Sequence, residues 1–111
     1  GGQKSRVKAT RIDQQQVELK RKDYEQALLA RSIQYRLELE KHQKALDNYE
    51  ETGVKLSNSL IVGANRSFES GEIDFYQYLQ IVERAVQIKV KYLESLKGYN
   101  ETALNLYYLI N

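Results

Sequence analysis

The chain has 111 residues, 13.0 kDa, and contains no proline, cysteine, methionine or tryptophan. This length is typical of one domain, and the absence of cysteine excludes disulfides and thiolate chemistry. The 17 basic and 15 acidic side chains are interleaved and leave a net charge of +2, which does not favour a nucleic-acid partner.

A helical pattern runs from about residue 4 to residue 70. Apolar or small residues recur at seven-residue steps in two series that together form the a/d seam of a coiled coil. One series is Leu28, Tyr35, His42, Tyr49, Leu56, Gly63, and the other is Ser32, Leu39, Leu46, Gly53, Leu60, Ser67. About 67 helical residues at 1.5 Å each reach roughly 100 Å. We therefore expect a rod with small seam residues, which allow close approach of a neighbouring helix.

Gly53 is the weak point of this first helix. Glycine in a helix interior costs about 1 kcal/mol relative to alanine. The sequence leaves two alternatives open: the helix continues through Gly53, or it breaks there and the two pieces fold back on each other.

A chain reversal is predicted in "SFESGEIDF", residues 67–75. Gly71 can adopt the left-handed conformation that closes a helix C-terminus. Asp74 can cap the next helix, with Gln77 as its capping-box partner and with Ile73 and Tyr78 as a hydrophobic staple.

The second helix is predicted from about residue 74 to residue 108. Its apolar residues follow four seven-step lines, which are too many for one narrow seam. The lines are Phe75, Val82, Leu96, Ala103, Ile110; then Leu79, Val86, Leu93, Tyr107; then Tyr78, Ala85, Tyr92, Tyr99, Leu106; and finally Ile81, Ile88, Leu109. The predicted fold is all-α, a long antiparallel helical hairpin or coiled coil, and its second helix needs contacts from more than one side.

No residue pattern points to catalysis, to a metal site or to a cofactor. His42 is the only histidine, and no cysteine or second histidine lies near it to complete a metal site. The carboxylates Glu38 and Glu40, Glu50 and Glu51, and Glu69 and Glu72 are interpreted as solvated charges, and the tyrosines as packing residues. The basic segment "KSRVKATR" is interpreted as a solvated helix face. No run of about 18 apolar residues is present, so no transmembrane segment is expected.

Several elements of the chain resemble the second helical repeat of the TolC-like outer-membrane efflux proteins. These elements are Gly1-Gly2 with the following basic residue, Phe68-x-x-Gly71, the pairs Tyr78-Leu79 and Tyr92-Leu93, and the closing Leu106–Leu109. The resemblance covers essentially the whole chain and rests on the order and spacing of motifs that are individually weak. Gly53 departs from the pattern, since many relatives carry an ordinary helix former there. The stretch "YLQIVERAVQIKVKYLESLKGYNETALNLYYL" looks most like versions that work with, or are joined to, metal-cation efflux pumps of the resistance-nodulation-division type.

The resemblance implies that residues 1–111 form a single helical-hairpin domain within a larger efflux protein. It implies a homotrimer in the full-length protein, whose hairpins line a helical tunnel in the periplasm below an outer-membrane barrel, and export of metal cations or small toxic compounds. The partners would be a periplasmic adaptor protein and an inner-membrane pump. The positions that correspond to the adaptor-contact tip are Phe68, Glu69, Ser70, Gly71, Glu72, Ile73, Asp74 and Phe75. Asp74 would also restrain the closed entrance, beside its simpler role as a helix cap.

The main alternative is a structural coiled-coil hairpin that dimerises as a scaffold, without a transport role and with no special function for its turn. An enzyme or a metal-binding helical bundle ranks below both.

Overall fold

A computed structural model describes residues 2–111, so Gly1 of the Gly1-Gly2 element lies outside the described part. The chain forms helix α1 (Gly2–Asn48), a π-helical turn (Tyr49–Gly53), helix α2 (Val54–Glu69) and helix α3 (Phe75–Ile110). Residues 2–111 contain no strand. The predicted all-α hairpin is confirmed. Its first helix comprises α1, the π turn and α2, its second helix is α3, and all four bounds lie within two residues of the predicted ones.

The molecule is a rod of 100 × 24 × 15 Å. Its radius of gyration is 27.5 Å, about twice the value of roughly 13 Å for a compact domain of this length. α1, the π turn and α2 form one continuous helix, and α3 packs back along its second half. The alternative in which the first helix breaks at Gly53 and folds back on itself is therefore wrong.

The helix passes through Gly53 in the π turn, without a break. The Val54 N–H donates to the Tyr49 carbonyl, five residues back, and the Thr52 hydroxyl donates to the Asn48 carbonyl at 2.8 Å. The Tyr49 ring lies over Gly53, where a Cβ would come within 2.8 Å of it. Since glycine has no Cβ, the ring can occupy this space.

The π turn also moves part of the seam away from its predicted position. Leu56 and Gly63 of the first predicted series are exposed, and Ser57 and Ala64 are buried in their place. Leu60 and Ser67 of the second series are half-buried, as predicted. A π turn carries one residue more than an α turn, so the face that follows it moves on by one residue. The seam before the turn lies where it was predicted, with Ser32 and Leu46 buried.

Small residues let α2 and α3 approach closely. Ser57, Ala64 and Ala85 are at most 1% exposed. The Ser57 hydroxyl donates to the Ala85 carbonyl at 3.1 Å, so the buried polar group is satisfied.

Larger side chains fill the seam further from the chain reversal. The Tyr49 and Tyr92 rings stack with centroids 4.3 Å apart. The His42 ring lies against Gly98, where a Cβ would be 2.6 Å from its Cε1 atom. The stacking of Tyr49 on Tyr92 and the contact of the His42 ring with Gly98 thus fix the register of the first helix on α3.

α1 extends well beyond the end of α3. Apart from the half-buried Glu18, all side chains of residues 2–27 are exposed. This segment reaches roughly 39 Å at 1.5 Å per residue. Most of the stability of a helix in a protein comes from tertiary packing, so the segment gains stability if another element covers it.

Candidate functional site

The predicted tip, residues 68–75, forms one end of the rod. The Gly71 backbone is left-handed, with φ 79°, as predicted. The Gly71 N–H donates to the Phe68 carbonyl at 3.1 Å and the Glu72 N–H donates to the Ser67 carbonyl at 2.9 Å. These two bonds form a Schellman motif, which satisfies the last carbonyls of α2.

The predicted capping box at the start of α3 is present. The Asp74 carboxylate accepts from the Gln77 N–H at 2.8 Å, and the Gln77 side-chain oxygen accepts from the Asp74 N–H at 3.0 Å. Ile73 and Tyr78, the predicted staple, are both half-buried. Asp74 therefore acts as a helix cap, and the turn is held by backbone and capping bonds.

The other tip side chains are left open to solvent. Glu69, Ser70, Gly71 and Glu72 are exposed, and the Ser70 hydroxyl donates to the Ser67 carbonyl at 3.1 Å. The end of the hairpin thus presents to solvent the backbone around Gly71 and the carboxylates of Glu69 and Glu72.

Aromatic rings support the tip from below. The Phe68 ring lies 5.9 Å from the Phe75 ring and 5.1 Å from the Tyr78 ring, measured between centroids. The Tyr78 hydroxyl donates to the Asn65 side-chain oxygen at 2.9 Å and so ties α3 to α2. Phe68 and Phe75 are still 41% and 59% exposed, so the cluster offers apolar surface to a partner.

The structure brings all eight predicted tip residues together. The Tyr78–Asn65 bond was not anticipated, because nothing in the pattern of either helix shows which α2 residue faces Tyr78.

A second candidate surface is an apolar stripe along α3, here named the exposed α3 face. It consists of Leu79, Val86, Leu93 and Tyr107, which are 46–59% exposed. These residues follow the seam residues Tyr78, Ala85, Tyr92 and Leu106 by one position, which turns them about 100° away from the seam.

The exposed α3 face is one-sided. The opposite flank of the seam is polar, since the residues that precede the four seam residues are Gln77, Arg84, Lys91 and Asn105. Leu79, Val86 and Leu93 follow one another at seven-residue spacing, and Tyr107 lies fourteen residues beyond Leu93, with the exposed Asn100 between them. Groups of exposed apolar side chains like this mark sites of interaction. The prediction that α3 carries more apolar circumference than one partner helix covers is confirmed.

The charged side chains pair only within single helices across residues 2–111. The ion pairs are Arg21 with Glu18 and Glu25, Lys44 with Glu40, and Lys97 with Glu101, and all are exposed. A hydrogen bond and the negative charge of Glu18 raise the pKa of Arg21 above its ordinary value. Exposed pairs of this kind contribute little to stability, so apolar packing holds the hairpin together.

The remaining candidate residues lie apart from one another. His42 is a half-buried seam residue, and Glu38 accepts a long hydrogen bond of 3.5 Å from the Thr102 hydroxyl. Among residues 2–111, no three histidine, cysteine or acidic side chains are grouped as a metal site would require. In the same range, no helix has the length and apolar character needed to cross a membrane.

Comparison of the chain with protein-family models, with curated proteins and with solved structures gives no match. The tip and the exposed α3 face are two surfaces of the molecule that are open to a partner.

Proposed function

We propose that this chain is a hairpin segment of a TolC-like efflux duct, with its tip directed at a periplasmic adaptor protein. In this proposal the full-length protein is a homotrimer in the cell envelope, works with an inner-membrane pump, and exports metal cations or small toxic compounds. The resemblance of the tip and helix motifs to that family motivates the proposal.

The observation that carries the proposal is the exposed α3 face. Full burial of one large apolar side chain contributes about 1.5–3 kcal/mol, and the four residues of this face are about half exposed. Covering them with neighbouring helices therefore contributes several kcal/mol. A wall of hairpins packed side by side covers such a face along its length.

Two further features support the same arrangement. The rod is 100 Å long, which suits a conduit that crosses a wide compartment, and residues 2–27 lack a neighbouring helix within residues 2–111. The tip lies at the opposite end of the rod from this segment, so it is free to meet a partner when the sides are covered.

Crosslinking from the tip tests the proposed partner. A photo-reactive amino acid in place of Glu72, in the full-length protein within its own cells, should capture a periplasmic adaptor. The matched control is the same amino acid in place of Gln87, an exposed α3 residue away from the tip, which should capture neighbouring copies or nothing. Capture of no adaptor from Glu72 argues against the proposed role of the tip.

The substitution Gly71→Val tests whether the tip matters for transport. Valine at φ 79° is strained, so the turn should distort while the helical sides remain. We expect weaker adaptor crosslinking and less efflux with trimer formation intact. Unchanged crosslinking and efflux remove the functional claim for the tip, and a dimer without any transport phenotype supports the scaffold alternative.

A further inference from the structure

The π turn joins two possible registers of α2 on α3. If residues 49–53 wind as an ordinary α-helix, the heptad seam continues to Leu56 and Gly63, seven and fourteen residues after Tyr49. With the π turn in place, Ser57 and Ala64 face α3. The same helix thus carries two adjacent seams, and one extra residue in one turn decides which of them is used.

Both seams are compatible with packing, but they set different distances between the helices. The observed seam places Ser57 against Ala85, with both side chains fully buried. The other seam places leucine, now 54% exposed, at the corresponding level. Since the distance between packed helices varies over about 8–10 Å with the size of the contacting side chains, Leu56 would hold α2 further from α3.

Gly53 is the residue that permits the π turn. A Cβ at this position would come within 2.8 Å of the Tyr49 ring and 3.4 Å of the Ile88 side chain. The ring has little freedom to leave, because it stacks on Tyr92. In an α turn, by contrast, Cβ atoms four residues apart are about 5–6 Å from each other, so a side chain at this position fits.

We propose that the π turn at Tyr49–Gly53 is a register switch that selects which seam α2 presents to α3 and thereby sets the helix spacing near the hairpin end. Loss of the π turn rotates α2 by about 100° and shifts it by about 1.5 Å along its axis. The turn at residues 70–74 takes up the difference. This inference does not depend on the proposed transport function.

Thiol labelling tests the switch cleanly, because the chain has no cysteine of its own. Ser57→Cys and Leu56→Cys are made separately, in the 111-residue chain and in its Gly53→Ala variant, and their rates of reaction with a maleimide are measured. In the parent chain, Ser57→Cys should react slowly and Leu56→Cys quickly. Gly53→Ala should raise the rate at position 57 and lower it at position 56, each by at least about tenfold.

Deletion of Glu51 supplies the matching second variant. Glu51 is exposed, and its removal converts the π turn to an α turn without rotating α2. Labelling should then be the same as in the parent chain, and deletion of Glu51 in the Gly53→Ala variant should restore the parent pattern. Ser32→Cys, in the seam before the turn, should stay protected in all variants.

Three results would overturn the proposal. One is an unchanged labelling pattern in Gly53→Ala. Another is fast labelling at both positions 56 and 57, because α2 then melts instead of changing register. The third is a reversed pattern on deletion of Glu51 alone. The control Gly63→Ala makes the same chemical change where nothing lies within 4 Å of the new Cβ, and it should leave both rates as they are.

Discussion

Two glycines in helix interiors should respond in opposite ways to the same substitution. Gly98 lies against the His42 ring, where a Cβ would be 2.6 Å from Cε1, 2.7 Å from Nε2 and 3.1 Å from Nδ1. Gly63 has nothing within 4 Å of the corresponding position. Gly98→Ala and Gly63→Ala therefore differ mainly in steric cost.

The magnitudes follow from helix propensity and overpacking. Replacing glycine by alanine in a helix interior contributes about 0.5–1 kcal/mol of stability. Overpacking of a fitted contact costs about 1–3 kcal/mol, and three ring atoms within 3.1 Å mean that the ring must leave its niche. We expect Gly63→Ala to raise the free energy of unfolding by about 0.5–1 kcal/mol and Gly98→Ala to lower it by about 1 kcal/mol.

Urea unfolding followed by circular dichroism at 222 nm measures both values, at two protein concentrations so that self-association is detected. The substitution Gly98→Ala should become stabilising in a His42→Ala background, since the ring is then absent. The coupling between the two sites should be about 2 kcal/mol. Equal stabilisation by Gly63→Ala and Gly98→Ala would refute the close contact between the His42 ring and Gly98.

Three further predictions concern the turn, the buried hydroxyl and the exposed α3 face. Asp74→Ala removes the capping box and should cost about 0.5–2 kcal/mol in urea unfolding, whereas Asp74→Asn should keep most of the stability; equal losses in both would contradict the cap. Ser57→Ala leaves no buried donor unpaired, so it should lower the free energy of unfolding by no more than about 1 kcal/mol. Ser57→Val should lower it further because the larger side chain forces α2 and α3 apart, and equal effects of the two variants would argue against close packing there. Leu93→Glu should change the free energy of unfolding of the isolated monomer by less than about 0.5 kcal/mol but abolish side-by-side association in sedimentation; a large loss of monomer stability would show that Leu93 belongs to the core of the hairpin.

Local signals in the sequence were sufficient to predict the hairpin. Gly71, Asp74 and Gln77 carry their structural roles in their own chemistry: a left-handed backbone, a side-chain acceptor and a reciprocal cap. The seven-residue spacing placed α1 correctly up to Tyr49, because an unbroken α-helix keeps a constant relation between spacing and face.

Beyond Gly53 one of the two predicted series is wrong, with Leu56 and Gly63 exposed, while Leu60 and Ser67 of the other series are half-buried as predicted. The error has a physical reason. Leu56 is a better seam residue than Ser57 by hydrophobicity, so the heptad pattern favours it. The π turn depends on the fit of the Tyr49 ring over Gly53 and against Tyr92, and this contact joins residues 43 positions apart in the chain. Periodicity within one helix holds no information about that contact.

The candidate surfaces divide in the same way. That α3 would keep uncovered apolar surface was predictable, since four apolar lines on one helix exceed what one partner covers, but which line would be exposed was not. The hydrogen bond between Tyr78 and Asn65 was not predictable from the sequence, because it depends on how α2 is rotated against α3.

The most direct test of the account is the reactivity of a single thiol on the exposed α3 face. Leu93→Cys is labelled with a maleimide in the isolated 111-residue chain at low concentration and in the protein as it occurs within intact cells, with Gln87→Cys as the control at an exposed position off this face. Covering of the face by neighbouring helices predicts fast labelling of Leu93→Cys in the isolated chain, strong protection in the assembly, and fast labelling of Gln87→Cys in the isolated chain. Equally fast labelling of Leu93→Cys in both settings would contradict the claim that this hairpin is built to pack among other helices.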